Sequence, residues 1–204
     1  MCPSRHWSSR EQVPQAGILT TLFFSFLTVF CYQELPMGQK NSAFIPLKIA
    51  VLTVSDSRTI ANDSSGDYLV SAVTEAGHQL ADRALLADNL YQVRSRVSQW
   101  IADETIQVVL INGGTGFTDQ NWVPEAVGVL FDRTVKGFGE LFRQLSFAEI
   151  EGSAMQSRAL AGLANRTLVC CLPGSPGACQ LGWEQLIRDQ LDARTQPCNF
   201  VAHL

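Results

Sequence analysis

The chain has 204 residues, a hydrophobic share of 46%, a charged share of 17% and a formal charge of −4 at pH 7. This composition excludes a disordered or collagen-like chain, and the length suffices for one α/β domain with a real core but hardly for two. Because non-specific nucleic-acid binding needs a positive field, we expect no nucleic-acid partner.

The first 43 residues differ from the rest, and we expect an extension there and a domain at 44–204. Residues 16–32 carry no charge, and their number is at the lower limit for a helix that spans a membrane. No small-x-small cleavage pattern follows this run. Two interpretations stay open: a membrane anchor or signal, and an over-long start that precedes a cytoplasmic protein beginning at Met37.

The hydrophobic pattern of the body predicts alternating strands and helices. In chain order it predicts a strand at 48–55, a helix at 67–76, a strand at 80–86, a helix at 90–103, a strand at 107–112, helices at 124–131, 138–148 and 153–164, a strand at 167–172 and a helix at 178–191. We expect Ser64 or Ser65 to cap the first helix. The alternation predicts an α/β fold whose mainly parallel sheet is covered by helices on both faces.

The cysteines of the body do not indicate a metal site. Cys170 and Cys171 are adjacent in an apolar run, and Cys179 and Cys198 follow without a C-x-x-C pair or a Cys/His ligand spacing. We therefore expect Cys170 and Cys171 to be small core residues.

Four polar or glycine-rich loops follow predicted strands, at 55–66, 88–89, 113–123 and 173–177. In parallel sheets, ligands bind outside the carboxyl ends of the strands. We therefore expect these loops to converge on one site.

Two of these loops contain glycine-rich turns suited to anions. The GGTG turn (Gly113, Gly114, Thr115 and Gly116) directly follows a buried strand, and the PGSPG corner (173–177) precedes a helix. Glycines let backbone N–H groups turn toward a phosphate, and Thr115 adds a hydroxyl. The alternative is a pair of ordinary turns, and neither a P-loop nor a G-x-G-x-x-G fingerprint is present. We expect Gly114→Val to cost ligand affinity more than stability.

Asp88 follows a strand end, where a carboxylate could hold Mg²⁺ together with substrate phosphates. The alternative for Asp88 is a solvated helix cap.

Several motifs resemble the MoaB/MogA family of molybdenum-cofactor biosynthesis proteins, most of all its bacterial MoaB branch. The resemblance covers about residues 44–204. The motifs, in order, are LTVSDSRT (52–59), INGGTGFT (111–118), PEA (124–126), GFGELFRQLSF (137–147), SRALAG (157–162) and CLPGSPGA (171–178). The resemblance implies the three-layer αβα molybdopterin-binding fold of that family, assembled as a homotrimer or homohexamer.

The resemblance also implies a chemistry. Members of the MogA type bind molybdopterin as substrate and adenylylate it with ATP and Mg²⁺, and other cofactor-biosynthesis proteins would be partners. By position, Gly113, Gly114, Thr115 and Gly116 would cradle the terminal phosphate of molybdopterin. Asp88 would be a catalytic residue and metal ligand. Ser55 and Asp56 would line one substrate loop, and Pro173, Gly174 and Ser175 another.

The family pattern has an Asp where this chain has Asn121, and a Thr where it has Val123. An amide oxygen can ligate a metal, but it cannot neutralise charge or accept a proton as a carboxylate does. Asp119, two residues before Asn121, is an alternative carboxylate. Two hypotheses follow: an enzyme that adenylylates molybdopterin with Asp88 and Asn121 at the catalytic centre, and a binding protein with weakened chemistry.

Overall fold

The computed structural model describes residues 43–204. The apolar run at 16–32 and the alternative start at Met37 lie outside the described residues. None of the helices within 43–204 is long and apolar enough to cross a membrane.

Within residues 43–204, six strands form one mixed sheet, with five α-helices around it. The strands are β1 (Lys48–Val54), β2 (Gln79–Leu86), β3 (Val108–Gly113), β4 (Arg133–Thr134), β5 (Leu160–Ala164) and β6 (Thr167–Leu172), and the helices are α1 (Ser64–Glu75), α2 (Leu90–Ala102), α3 (Val123–Val127), α4 (Lys136–Ile150) and α5 (Pro176–Gly182). The spatial strand order is β2-β1-β3-β6-β5-β4. The first four strands in this order are parallel, whereas β5 and β4 are antiparallel to their neighbours. The predicted mainly parallel sheet is confirmed.

The central strands are buried on both faces because helices cover both. Ile49 and Val51 of β1 belong to the core under α1, α4 and α5, whereas Ala50 and Leu52 belong to the core under α2 and α3. This arrangement is the expected three-layer αβα fold. Alternating side chains of one strand therefore enter two separate cores, which explains why the strand sequence is continuously apolar.

The cysteines of β6 are core residues, as predicted. Cys170 is 2% exposed and Cys171 is fully buried, and they point into opposite cores. Burial raises the pKa of the Cys170 thiol to about 12 and that of Cys171 well above its ordinary value.

The predicted capping of the first helix is wrong. Neither Ser64 nor Ser65 caps α1: the cap is Asp63, whose carboxylate accepts a hydrogen bond from the Gly66 amide at 3.0 Å. Ser65 lies inside the first turn, and its hydroxyl donates to the Gly174 carbonyl at 2.8 Å.

The predicted helix at 153–164 is also wrong. A short 3₁₀ turn occupies Glu151–Gln156, and residues 160–164 form β5, which pairs antiparallel with β6. Asn165 and Arg166, both at positive φ, make the tight turn between the two strands. Leu, Ala and Gly, which make up residues 160–164, have no preference for strands, so pairing with β6 decides the conformation of this segment.

Two other predicted helices end early. The helix expected at 124–131 is α3 followed by a 3₁₀ turn at Gly128–Leu130. The helix expected at 178–191 is α5, which continues as a π turn at Trp183–Ile187 and a 3₁₀ turn at Arg188–Leu191. The apolar periodicity holds across both segments, but it does not distinguish these helical forms.

The strand order reverses at β1, since β2 lies on one side of it and β3 on the other. A crevice forms at such a switch point outside the carboxyl ends of the strands. Ser55 and Asp56 follow β1 there, and the GGTG turn follows β3.

Candidate functional site

The loops after β1, β2, β3 and β6 meet at one edge of the sheet, as predicted. The Asp88 amide donates to Asp56 Oδ1 at 3.0 Å, and Arg58 Nη2 donates to the Gly174 carbonyl at 2.9 Å. A Cβ placed on Gly174 would lie 3.1 Å from Gly113 Cα, so the PGSPG corner contacts the GGTG turn directly.

The GGTG turn requires glycine at its first two positions. Gly113 and Gly114 have φ of 92° and 62°, a region that L side chains rarely adopt. A Cβ on Gly114 would lie 2.7 Å from Asp88 Oδ2 and would also clash with Val123. Gly114→Val would therefore also strain the backbone and displace Val123, a stability cost that our expectation of a mainly affinity-based loss leaves out.

The carbonyls and the amides of the GGTG turn differ in whether they have hydrogen-bond partners in the protein. The Gly114 carbonyl accepts from the Val123 amide at 3.1 Å, and the Thr115 carbonyl accepts from Arg158 Nε at 3.2 Å. Within residues 43–204, the amides of Gly114, Thr115 and Gly116 donate no hydrogen bond to another protein group. Free amides in a short glycine-rich turn can bind an anion, since successive N–H groups form a concave donor site.

Asp88 lies beside the turn and contacts Asn121. Asp88 Oδ1 accepts from the Trp122 amide at 3.0 Å, and Asp88 Oδ2 accepts from Asn121 Nδ2 at 3.3 Å. Asn121 Oδ1 in turn accepts from the Thr118 hydroxyl at 2.8 Å. The chain therefore juxtaposes the two predicted catalytic positions, and the Asn121 amide donates where a second carboxylate would repel.

Burial raises the pKa of the Asp88 carboxyl, and the Asp56 carboxylate adds to that rise. The hydrogen bonds from Trp122 and Asn121 act in the opposite direction but do not outweigh burial. Asp88 is thus a half-buried carboxyl whose ionised form is less favoured than usual.

The fit to Mg²⁺ depends on Asp88 and Asp56. No group of three or more His, Cys, Asp or Glu side chains among residues 43–204 could hold a metal ion. Mg²⁺ is commonly held by one or two carboxylates while substrate phosphates supply further oxygens. Repulsion from Asp56 contributes to the raised pKa of Asp88, and a cation between them would relieve it. Asp88 and Asp56 are therefore the carboxylates available to a Mg²⁺ ion whose other ligands are phosphate oxygens.

A buried carboxylate, Asp63, connects the loops after β1 and β6. Its side chain is fully buried, and it accepts from Thr53 Oγ1 at 2.6 Å, from Arg58 at 3.3 Å and from Arg83 at 3.1 Å. Burial by itself raises the pKa of Asp63, but the hydrogen bonds from Thr53, Gly66 and Arg83 outweigh it and the pKa is lowered. Since Arg58 also binds the Gly174 carbonyl, Asp63 supports the position of the PGSPG corner.

The predicted serines shape the loops that contain them. Ser55 Oγ accepts from the Ser57 and Arg58 amides, each at 3.3 Å. Ser175 Oγ accepts from the Ala178 amide at 3.2 Å and so caps α5, directly after Pro173 and Gly174.

Three residues with evident roles here, Arg58, Asp63 and Arg158, were not predicted as site residues. Arg58 and Arg158 lie in the motifs LTVSDSRT and SRALAG, but a lone arginine in a motif does not indicate which loop it contacts. Both guanidinium groups bind backbone carbonyls of loops that are distant in sequence, a pattern that only the fold reveals.

Comparison with known proteins identifies the family. A family model described as a probable molybdopterin binding domain matches residues 50–193. The molybdenum cofactor biosynthesis protein B of Escherichia coli K12 is 54% identical over 168 residues, which cover 82% of this chain and 99% of that protein. The chain belongs to this family.

Solved structures of family members have the same fold. A crystal structure of a molybdenum cofactor biosynthesis protein B, 39% identical, matches with a TM-score of 0.71 and covers 74% of this chain and 94% of that chain. A MoaB from Pyrococcus furiosus, described as tungsten cofactor synthesizing, is 29% identical with a TM-score of 0.63 and covers 70% of this chain and 91% of that chain. The expected MoaB/MogA-like fold is thereby confirmed for the described residues.

Proposed function

We propose that this protein binds molybdopterin during molybdenum-cofactor biosynthesis, with the terminal phosphate on the GGTG turn. The observation that carries this proposal is the hydrogen bonding of the turn's backbone, in which amides are free and carbonyls are bonded. The amides of Gly114, Thr115 and Gly116 lack protein partners within the described residues, whereas the carbonyls of the same three residues accept hydrogen bonds from the protein. A phosphate dianion is the chemical group that such a donor site accepts, and family membership supplies the identity of the ligand.

The neighbouring loops would hold the rest of the ligand. Gly174 lies against Gly113, so Pro173, Gly174 and Ser175 would line the crevice beside the phosphate. Ser55 and Asp56, at the end of β1, would line its other side. A ligand that extends across the switch point would therefore contact all three loops.

Asp88 and Asp56 would hold Mg²⁺ when ATP is also bound. Mg²⁺ there would offset the charge of phosphate oxygens. The contribution of the chain is to keep Asp88 beside the GGTG turn through the Trp122 amide.

Binding is the primary proposal because Asn121 occupies the position of a second carboxylate. Its Nδ2 donates to Asp88, and its Oδ1 accepts from Thr118, so both ends of the amide have protein partners. Adenylyl transfer is the second candidate, and the Asp88–Asp56 pair favours it. In that reaction a molybdopterin phosphate oxygen bonds to the α-phosphorus of ATP, and pyrophosphate leaves.

The decisive test measures molybdopterin binding by the full chain and, separately, molybdopterin-dependent release of pyrophosphate from Mg²⁺–ATP. Asp88→Asn is the sharper variant for the second assay than Asp88→Ala, because an amide oxygen can still accept from Trp122 while the charge is lost. Binding without turnover, and turnover in Asn121→Asp, would support the primary proposal. Turnover by the unaltered chain that Asp88→Asn abolishes would establish the enzyme, and no molybdopterin binding would refute both.

The remaining properties implied by the family are proposals as well. We propose a homotrimer or homohexamer, contacts with other cofactor-biosynthesis proteins and a cytoplasmic location. Light scattering of the full chain after size-exclusion chromatography would measure the oligomer, and a monomer would contradict the first of these.

A further inference from the structure

Arg158 precedes β5 and contacts the loop after β3, about forty residues earlier in the chain. Its Nε donates to the Thr115 carbonyl, its Nη2 donates to the carbonyls of Gly116 and Asn121, the latter at 2.6 Å, and its Nη1 forms an ion pair with Glu125. One guanidinium therefore holds three carbonyls of a single loop.

The guanidinium is itself held in place. The Phe117 ring lies 4.9 Å from Arg158 Cζ, measured to the ring centroid, and the Arg158 side chain is only 20% exposed. A planar guanidinium directs its donors in a fixed fork, so its carbonyl partners must take matching positions. Lysine carries the same charge but lacks this geometry.

Fixing a carbonyl also fixes the amide of the next residue, because the peptide unit is planar and its N–H points opposite to its C=O. The bond from Arg158 to the Thr115 carbonyl thus orients the Gly116 amide, and the bond to the Gly116 carbonyl orients the Phe117 amide. The Val123 amide orients the Thr115 amide in the same way, through the Gly114 carbonyl.

The same arginine fixes the other end of the loop. Its bond to the Asn121 carbonyl holds the residue whose side chain donates to Asp88. Arg158 therefore contributes, together with the Trp122 amide, to the spacing between the GGTG turn and Asp88.

We infer that Arg158 is a positioning residue that orients the free Gly116 amide of the GGTG turn, and places Asn121 against Asp88, for a phosphate-bearing ligand. This inference rests on the proposed function, but it also makes a claim about the loop that holds without ligand. Arg158 acts through the backbone and does not touch the ligand.

The test compares Arg158→Lys with the unaltered full chain and with Arg143→Lys. Arg143 is a matched control, because its Nη1 donates to the Ser157 carbonyl beside Arg158 but does not reach the GGTG turn. Three quantities are measured: molybdopterin affinity, amide hydrogen exchange of the peptide covering 113–123, and the midpoint of urea unfolding.

We expect Arg158→Lys to weaken molybdopterin binding about tenfold or more, since charge-assisted hydrogen bonds are lost. Exchange should accelerate within 113–123 by more than the fall in the unfolding midpoint accounts for, and Arg143→Lys should change neither affinity nor loop exchange. Phe117→Ala removes an exposed ring and should give a smaller change in the same direction; it decides the matter if Arg158→Lys does not fold.

Failure of the inference and failure of the proposed function give different results. If the unaltered chain binds molybdopterin and Arg158→Lys binds it equally well, the inference is overturned and the proposed function stands. If the unaltered chain binds no molybdopterin, the proposed function fails, and unchanged exchange of 113–123 in Arg158→Lys overturns the inference too.

Discussion

Gly114→Ala is a substitution in the GGTG turn for which the structure predicts a large loss of stability. Ala in the left-handed region at φ 62° costs about 1–2 kcal/mol. The new methyl group would meet Asp88 Oδ2 at 2.7 Å and would clash with Val123 Cγ2, an overpacking that typically costs about 1–3 kcal/mol. The free energy of unfolding should therefore fall by about 2–5 kcal/mol, a large part of the 5–15 kcal/mol that is typical of domains.

The assay is urea unfolding of the full chain, with Gly177→Ala as the control. Gly177 belongs to the other glycine-rich loop, but a Cβ there would meet nothing within 4 Å, and the residue lies in the first turn of α5. Gly177→Ala should therefore raise the free energy of unfolding by about 0.5–1 kcal/mol. A Gly114→Ala protein within about 1 kcal/mol of the unaltered chain would refute this reasoning, since strain and overpacking together should cost at least about 2 kcal/mol.

Asp63→Ala should lower the free energy of unfolding, measured by urea unfolding, by about 3–5 kcal/mol, because two arginines lose their buried carboxylate. Asp67→Ala, at a side chain that is 56% exposed, should cost about 1 kcal/mol or less, and equal losses would contradict the assigned roles. The lowered pKa of Asp63 means that its contribution to stability is present above its ordinary value of 3.8 and is lost as the pH falls through the lowered pKa, so Asp63→Ala should flatten the acid side of a stability–pH curve. Because its pKa is raised, Asp88 becomes protonated at a higher pH than an ordinary Asp as the pH falls, so Mg²⁺-dependent ligand binding should already weaken at that higher pH. A binding titration in which Asp88→Asn keeps the same pH profile would disprove this. Alkylation followed by peptide mass analysis should modify the exposed Cys198 and spare Cys171, whose thiol pKa is raised by burial; comparable rates at the two thiols would show that β6 opens readily.

The parallel part of the sheet was predictable because its signals are local. The runs at 48–55, 107–112 and 167–172 are apolar without alternation, and each strand is buried between two helix layers. Turn residues mark where these strands end, and a parallel sheet brings those ends to one edge. The convergence of the GGTG turn and the PGSPG corner could therefore be predicted from the sequence.

The antiparallel half of the sheet was not predictable in this way. Residues 160–164 contain good helix formers, and they become β5 only because β6 offers them a pairing edge. The turn at Asn165 and Arg166 uses positive φ without a glycine, so it lacks the usual hairpin signature. Non-local pairing overrode local propensity here, as it does wherever a strand is stabilised mainly by its neighbours.

The sequence alone determined which backbone turns could bind an anion, because glycine has a conformational freedom that no other residue shares. Through the family resemblance, the sequence also predicts that Asn121 stands at the position of a carboxylate. Only the tertiary structure decided which side chains orient those turns: Arg158 reaches the GGTG turn from the segment before β5, and Arg58 reaches Gly174 from the loop after β1. The physical reason is that a hydrogen bond between a side chain and a distant carbonyl leaves no local periodicity, and its donor and acceptor meet only after the sheet has assembled.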